Sequence, residues 1–270
     1  MKSLHIIILL VCASFASFSA DAATPFRFSL KGKEQKFLTI IILREASVHI
    51  KGYDASDLLV TEAKDISSAS MSGYKDISTL ATDLSKPTTK DIIPQVFEND
   101  NSIRMTFQQQ DANDITIQLP KRTPFTLIFT SHLPQSVLSL TDLYGELKIN
   151  ANVPSILISS ISGPLSLTSA GLNLKKVISI SHIYWNKAQP ASPMFFISSL
   201  NADVNLYLPS GLRATLNLKA THNRVYSDLA ESQLKIIDLK NGNIAADMNG
   251  GGAQIFVTTE YGNIVLLKEH

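Results

Sequence analysis

The chain has 270 residues, of which 44% are hydrophobic and 17% are charged, and its formal net charge is +1. That length suffices for one large domain or two small ones. A nearly balanced charge without a run of Lys and Arg excludes the basic field that nucleic-acid binding requires, so no nucleic-acid partner is expected.

The first 22 residues have the pattern of a signal peptide. Lys2 supplies a positive charge, residues 4–18 are apolar, and residues 20–22 form an Ala-Asp-Ala cleavage site that leaves Ala23 as the first mature residue. The alternative is an uncleaved membrane anchor, but the run is shorter than the ~20 apolar residues that cross a bilayer. We therefore expect export to the periplasm, the outer surface or the medium.

The single cysteine, Cys12, lies inside this segment. A lipoprotein would use it as the lipid attachment site, but the bulky Val11 precedes it where a small residue is expected. Without Cys12 the exported chain has no disulfide, which favours a bacterial envelope protein because small secreted eukaryotic domains usually carry disulfides. The densest later apolar run, residues 37–43, has the length and β-branched content of a strand, so no transmembrane segment is expected after cleavage.

Short strands separated by turns are predicted over residues 26–61. Val48 and Ile50 share one face, while His49 and Lys51 point the other way. This alternation is typical of strands with one buried and one solvated side.

A polar stretch at residues 64–95 interrupts the alternation. It is rich in Ser, Thr, Lys and Asp, and a short helix is possible over residues 76–84 with Asp76 as its N-cap. Strands of the same kind resume over residues 96–270. We interpret the polar stretch as an insertion into a single domain spanning residues 23–270.

One phrase, D-[IV]-x-[IL]-x-L-P, occurs twice, at residues 114–120 and 203–209. Its apolar residues lie at every second position and bury one face. The proline ends the strand because it has no N–H to donate to a neighbour.

Glycine-containing phrases recur at short intervals. The form x-G-x-[IL]-x-[IL] occupies residues 144–149, 162–167 and 261–266, and Gly-Asn-Ile recurs at residues 242–244 and 262–264, a step of 20 residues. Glycine at a corner permits positive φ, so we expect positive φ at corner glycines such as Gly262. Recurrence near 20 residues is typical of stacked repeats, so we expect the matched phrases to lie on neighbouring strands. We predict an all-β fold, specifically a β-solenoid: a right-handed parallel β-helix-like roll of short strands. An antiparallel sandwich is the alternative.

Several of these stretches resemble a bacterial family of unknown function usually called putative adhesins. The resemblance rests on GYDASDLLV, SGYKDI, ENDNSIRM, the two D-x-x-x-x-L-P strands and the closing NGGGAQIFVTTEYGNIVLLK. It extends from about residue 36 to the C-terminus. It implies an exported, non-catalytic envelope protein whose body is a β-solenoid or flattened β-roll. The chain departs from the family at residues 221–225, where a bulkier corner replaces an Asn-Gly turn.

Motifs of common enzymes are absent from the sequence. There is no G-x-S-x-G elbow, no P-loop and no H-E-x-x-H, and no two of the six histidines have the spacing of metal ligands. We therefore predict no catalytic, cofactor-binding or metal-binding residues, and no cofactor.

A carbohydrate-active enzyme on a β-helix scaffold is the alternative function. Such enzymes gather acidic residues on one face. Here Asp54 with Asp57, or Asp111 with Asp114, are candidates for a cation site. The favoured interpretation is that these carboxylates accept backbone N–H groups in turns.

An aromatic pair, Tyr184 and Trp185, lies in a predicted loop over residues 182–190. It is the candidate ligand site, because aromatic rings stack on sugars. Covering an open edge of the solenoid is the alternative role. The sequence thus favours an exported, adhesin-like protein that presents a polar β-surface to an unidentified envelope protein or glycan.

Overall fold

The computed structural model describes residues 25–43, 45–62, 93–108, 114–170, 176–183, 194–240 and 242–268. Within these ranges the chain forms strands and no helix, which confirms the all-β prediction. No helix in the described part is therefore long and apolar enough to cross a membrane. The predicted signal peptide (1–22) and nearly all of the predicted insertion (64–95) lie outside the described residues.

The strands are β1 (Phe26–Ser29), β2 (Phe37–Leu43), β3 (Val48–Tyr53), β4 (Asp57–Glu62), β5 (Gln95–Glu98), β6 (Ser102–Phe107), β7 (Ile115–Pro120), β8 (Phe125–Thr130), β9 (Val137–Thr141), β10 (Leu147–Asn152), β11 (Ser155–Ile161), β12 (Leu165–Ser169), β13 (Lys176–Ile183), β14 (Met194–Ser199), β15 (Ala202–Leu208), β16 (Ala214–Ala220), β17 (Val225–Ser227), β18 (Leu234–Lys240), β19 (Asn243–Met248), β20 (Ala253–Thr259) and β21 (Ile264–Lys268).

These strands form two sheets. In the described ranges, sheet 1 has ten strands in the order β1-β4-β7-β3-β9-β11-β13-β15-β21-β17, and sheet 2 has eleven in the order β18-β19-β16-β20-β14-β12-β10-β8-β2-β6-β5. From β6 to β17 the chain alternates strictly between the sheets. We call each consecutive pair, one strand in either sheet, a rung.

Neighbouring rungs pair in parallel through the middle of both sheets. In sheet 2, Leu147 lies opposite Leu165 and Ile149 opposite Leu167. In sheet 1, β11 pairs in parallel with both β9 and β13. The prediction that the phrases at 144–149 and 162–167 lie on adjacent strands is therefore confirmed.

Rung order departs from chain order near both ends. The rung β20/β21 lies between β14/β15 and β16/β17, and the rung β2/β3 lies between β6/β7 and β8/β9. The prediction that the other matched phrases also lie on neighbouring strands is wrong. Gly-Asn-Ile at 242–244 leads into sheet 2 and its copy at 262–264 into sheet 1, because β19 is a returning antiparallel strand and β21 belongs to a rung.

The two D-[IV]-x-[IL]-x-L-P strands, β7 and β15, share sheet 1 but are separated by four other strands. The repeated phrase therefore identifies strands that bury the same face, but it does not identify strands that pair with each other. Which of the two sheets a strand joins follows from its place in the alternation along the chain.

One apolar core contains inward residues from both sheets. Along β15, Ala202, Val204, Leu206 and Leu208 are buried and the residues between them are partly exposed. Buried residues of β16 and β20 join the same cluster from sheet 2. Each fully buried Leu, Ile or Val contributes about 1.5–3 kcal/mol, so the period-two pattern fixes which face of each strand points inward.

Close backbone approach excludes a side chain at several corner glycines, Gly163 and Gly262 among them. A Cβ atom on Gly163 would overlap the carbonyl oxygen of Gly145, and one on Gly262 would overlap that of Ala202. The expectation of positive φ at Gly262 is wrong: positive φ occurs at Gly242, among others, but not at Gly262. A side chain is excluded at Gly262 because its corner stacks on the corner of the neighbouring rung, and not because its backbone is left-handed.

Candidate interaction surface

A row of hydroxyl groups crosses the outer face of sheet 2. Thr168 lies opposite Ser198 in the β12–β14 pair, and Ser198 lies opposite Thr258 in the β14–β20 pair. Because parallel pairing is in register, the row continues to Asn150 on one side and Lys219 on the other. None of the five is buried, and most line a shallow groove of about 480 Å³.

An aromatic row runs beside the hydroxyl row. Phe196 lies opposite Phe256 in the β14–β20 pair, with Ser166 and Asn217 on the flanking strands. Adjacent strands are about 4.8 Å apart, so the two rings are neighbours on the surface. Phe196 is 41% exposed. Aromatic faces next to hydroxyl and amide groups suit ligands with both apolar and polar faces.

A second groove, of about 460 Å³, extends from the aromatic row toward the edge of sheet 2. Phe196, Phe256 and Asn217 line one part of it, and the ion pair Asp238–Lys240, at 3.3 Å, lies at its rim. The surface therefore offers hydroxyl, amide and aromatic groups with charges of both signs near its edge.

Several of the described acidic side chains accept backbone N–H groups. Asp114 accepts the Ser47 backbone N–H at 2.7 Å, and Asp203 accepts the backbone N–H of Asn263 at 2.7 Å. The interpretation that carboxylates accept backbone N–H groups thus holds for Asp114, but the donor lies in a corner 67 residues away in the sequence and not in the turn of Asp114 itself. Its suggested partner in a cation site, Asp111, lies outside the described residues.

The second suggested acidic pair is engaged by basic side chains. Asp54 contacts Lys121 at 2.7 Å and Asp57 contacts Arg27 at 3.0 Å. Each carboxylate has its own cation. Within the described ranges no three His, Cys, Asp or Glu side chains are grouped closely enough to hold a metal ion.

Glu45 joins two corners. It accepts the Ser131 hydroxyl at 2.8 Å and the backbone N–H groups of His132 and Leu133 at 2.7 and 3.0 Å. Desolvation raises the pKa of this carboxyl, but the three hydrogen bonds outweigh it, so its pKa is lower than usual. The contact fixes the corner after β8 against the corner after β2.

Glu98 is held by two lysines at one end of sheet 2. Lys33 and Lys36 both contact it at 2.7 Å, and the hydrogen bond from Lys33, followed by that from Lys36, lowers the pKa of Glu98. A cavity of about 280 Å³ lies beside Lys33 and Lys36, lined mainly by apolar groups and by Arg122.

The corner at residues 221–225 carries an aromatic stack. His222 lies parallel to Tyr261, with ring centroids 4.8 Å apart and 6° between the planes. Tyr261 is 54% exposed. The sequence indicated a bulky corner but not its partner, because Tyr261 is brought next to it only by the position of β21 between β15 and β17.

The predicted ligand residues, Tyr184 and Trp185, lie outside the described residues, and their role stays a prediction. Sequence reasoning missed Phe196 and Phe256. Each Phe points outward from its strand, and the residues before and after it in the chain are apolar and buried. Only the pairing of β14 with β20 brings the two Phe residues together.

No protein-family model matches the chain, and no curated protein matches it. One solved structure that aligns with this chain is that of a putative cell adhesion protein from Clostridium sporogenes. It is 11% identical, and the alignment covers 91% of this chain and 99% of that chain with a TM-score of 0.48.

Proposed function

We propose that this protein is an exported, non-catalytic, adhesin-like component of the bacterial cell envelope that binds a glycan or protein through the outer face of sheet 2. The observation that carries the proposal is the aromatic row Phe196–Phe256 beside the hydroxyl row Thr168–Ser198–Thr258. Glycans are the favoured ligand class, because a sugar ring presents one apolar face and a rim of hydroxyl groups.

The scaffold we propose is a β-solenoid formed by a single domain from residue 23 to 270. Strict alternation between two sheets, with parallel in-register pairing of neighbouring rungs, supports this architecture. A right-handed course is favoured because connections between parallel strands of one sheet are nearly always right-handed. Such a scaffold presents long rows of like side chains on a rigid face.

The non-catalytic assignment is supported by the occupancy of the acids. Asp54, Asp57 and Asp114 each have a cation or a backbone N–H as partner. Glycoside hydrolysis requires two carboxylates facing one another across the substrate. The carbohydrate-active enzyme therefore remains the less favoured function.

Binding is tested with a printed panel of bacterial and host glycans and with envelope polysaccharide extract. Phe196→Ala combined with Phe256→Ala should weaken binding at least tenfold, about 1.4 kcal/mol. Leu157→Ala is the matched control, because Leu157 is 43% exposed on the outer face of sheet 1. Equal binding by the double variant and the control would exclude the aromatic row as the site.

Export is tested separately by expressing the full chain in a bacterium and fractionating the cells. We expect the protein outside the cytoplasm with Ala23 as its N-terminal residue. Retention in the cytoplasm with an intact N-terminus would contradict the assignment to the envelope.

A further inference from the structure

Among the residues that the structure describes, the last strand of sheet 2, β18, pairs along one edge only and carries exposed apolar side chains. Ile236, Ile237 and Leu239 are 57%, 56% and 65% exposed, and β19 pairs with only one side of the strand. A free edge presents a row of unpaired N–H and C=O groups that can pair with another strand.

The exposure follows from the unequal extent of the two sheets. At this end the described part of sheet 1 stops at β17, whereas sheet 2 continues past the companion strand β16 with β19 and β18. In the register with β19, Ile236 lies opposite the buried Ala246 and Leu239 opposite the half-buried Ile244. Both residues thus have the orientation of core residues, but no described strand of sheet 1 lies across from them.

A bulge gives β18 a self-complementary order. Ile237 has no partner on β19, so the ladder reads Leu234, Lys235, Ile236, Asp238 and Leu239. Two copies placed antiparallel about Ile236 bring Leu234 opposite Leu239 and Lys235 opposite Asp238, twice each. A two-fold axis perpendicular to the sheet keeps every side chain on its own face, as continuous pairing requires.

Charge determines which partner fits. Lysine on an edge strand opposes pairing with most other edges, but in this register each Lys235 meets an Asp238. Asp238 is available, because its side chain is 50% exposed and its ion pair with Lys240 is long, at 3.3 Å. Cross-strand pairs of opposite charge stabilise an antiparallel ladder and like charges destabilise it.

We propose that two copies of this chain associate through antiparallel pairing of their β18 strands, forming one continuous sheet in which Ile236 packs beside its symmetry mate and Leu239 beside Leu234. The contact is isologous, so it closes as a dimer and does not propagate into a fibre. This inference is independent of the proposed ligand surface and can hold or fail without it.

The experiment is sedimentation equilibrium of the purified full-length export product over a range of concentrations. Wild type should be dimeric at micromolar concentration. Lys235→Asp alone places Asp opposite Asp238, and Asp238→Lys alone places Lys opposite Lys235, so each should weaken the dimer at least tenfold. An equimolar mixture of the two variants should restore it, because both cross-strand pairs become attractive in the mixed dimer.

Thermal unfolding of each variant serves as the folding control, and midpoints near wild type are expected for substitutions at these exposed positions. Ile236→Lys places two like charges on the symmetry axis and should give monomers. A monomeric wild type at about 100 μM, a dimer unaffected by the single charge changes, open-ended oligomers, or failure of the mixture to recover would each overturn the proposal.

Discussion

Replacing Gly262 with alanine places a methyl group inside the backbone of the neighbouring rung. The new Cβ would overlap the carbonyl group of Ala202 and stand 2.8 Å from the nitrogen of Asp203. All of the overlapping atoms belong to the backbone, so the two corners must move apart. That movement strains the contact in which Asp203 accepts the N–H of Asn263 at 2.7 Å, and the bond from the Val204 N–H to the Asn263 carbonyl at 2.8 Å.

The expected loss of unfolding free energy combines two effects. Overpacking costs about 1–3 kcal/mol, and each weakened hydrogen bond costs about 0.5–1.5 kcal/mol. Gly262→Ala should therefore destabilise the protein by roughly 2–5 kcal/mol, measured by urea unfolding at constant slope.

Substitutions at two other glycines distinguish the effect of close backbone approach from the effect of a positive φ. A Cβ on Gly211 or Gly242 meets nothing within 4 Å, but Gly242 has φ +77° whereas Gly211 is outside the positive-φ set. Gly211→Ala should change stability by less than about 0.5 kcal/mol, and Gly242→Ala should cost about 1–2 kcal/mol through its left-handed conformation. If Gly262→Ala were no more destabilising than Gly211→Ala, the stacked-corner explanation would be refuted.

Three further outcomes are expected from single substitutions. Ile158→Ala, at a fully buried position, should cost about 2–5 kcal/mol in urea unfolding, whereas Leu157→Ala next to it should cost less than about 1 kcal/mol; equal losses would place the core on the wrong face of β11. Asp203→Ala should cost about 1–3 kcal/mol, because it leaves the Asn263 N–H without its acceptor; an unchanged midpoint would show that this bond is dispensable. Glu45 has a lowered pKa in the folded state, so its contribution to the free energy of unfolding is present above its ordinary pKa of 4.5 and is lost as pH falls through the lower folded pKa. Glu45→Gln should therefore flatten the acid side of the stability–pH profile. An unaltered slope would contradict the role given to the hydrogen bonds of Glu45.

Local strand structure was predictable because alternation of apolar residues is a property of adjacent positions. Val48 and Ile50 are buried while His49 and Lys51 are not, as the sequence indicated. The pairing of residues 147–149 with 165–167 was also predictable, because consecutive rungs are separated by one circuit of the chain.

Rung order was not predictable at the ends. The rung β20/β21 lies between β14/β15 and β16/β17 although it follows both in the chain, and no local sequence pattern encodes that order. For the same reason the adjacency of Phe196 and Phe256, and the stack of His222 on Tyr261, were not evident from the sequence.

The role of the corner glycines was mistaken for a related physical reason. A glycine is compatible with positive φ and with close backbone approach, and the sequence does not distinguish the two. At Gly262 the neighbouring corner at Ala202 decides the matter.

The non-sequential order of the rungs underlies the whole candidate surface, and spin-label distances test it directly. Labels are attached to cysteines at Ser198 and Thr258, or at Ser198 and Lys219, with Cys12 replaced by serine. Register places Thr258 on the strand next to Ser198 and Lys219 one strand further, or about 4.8 and 10 Å between backbones. Stronger dipolar broadening for Ser198–Thr258 than for Ser198–Lys219 is expected, whereas the reverse order would place β16 beside β14 and separate Phe196 from Phe256.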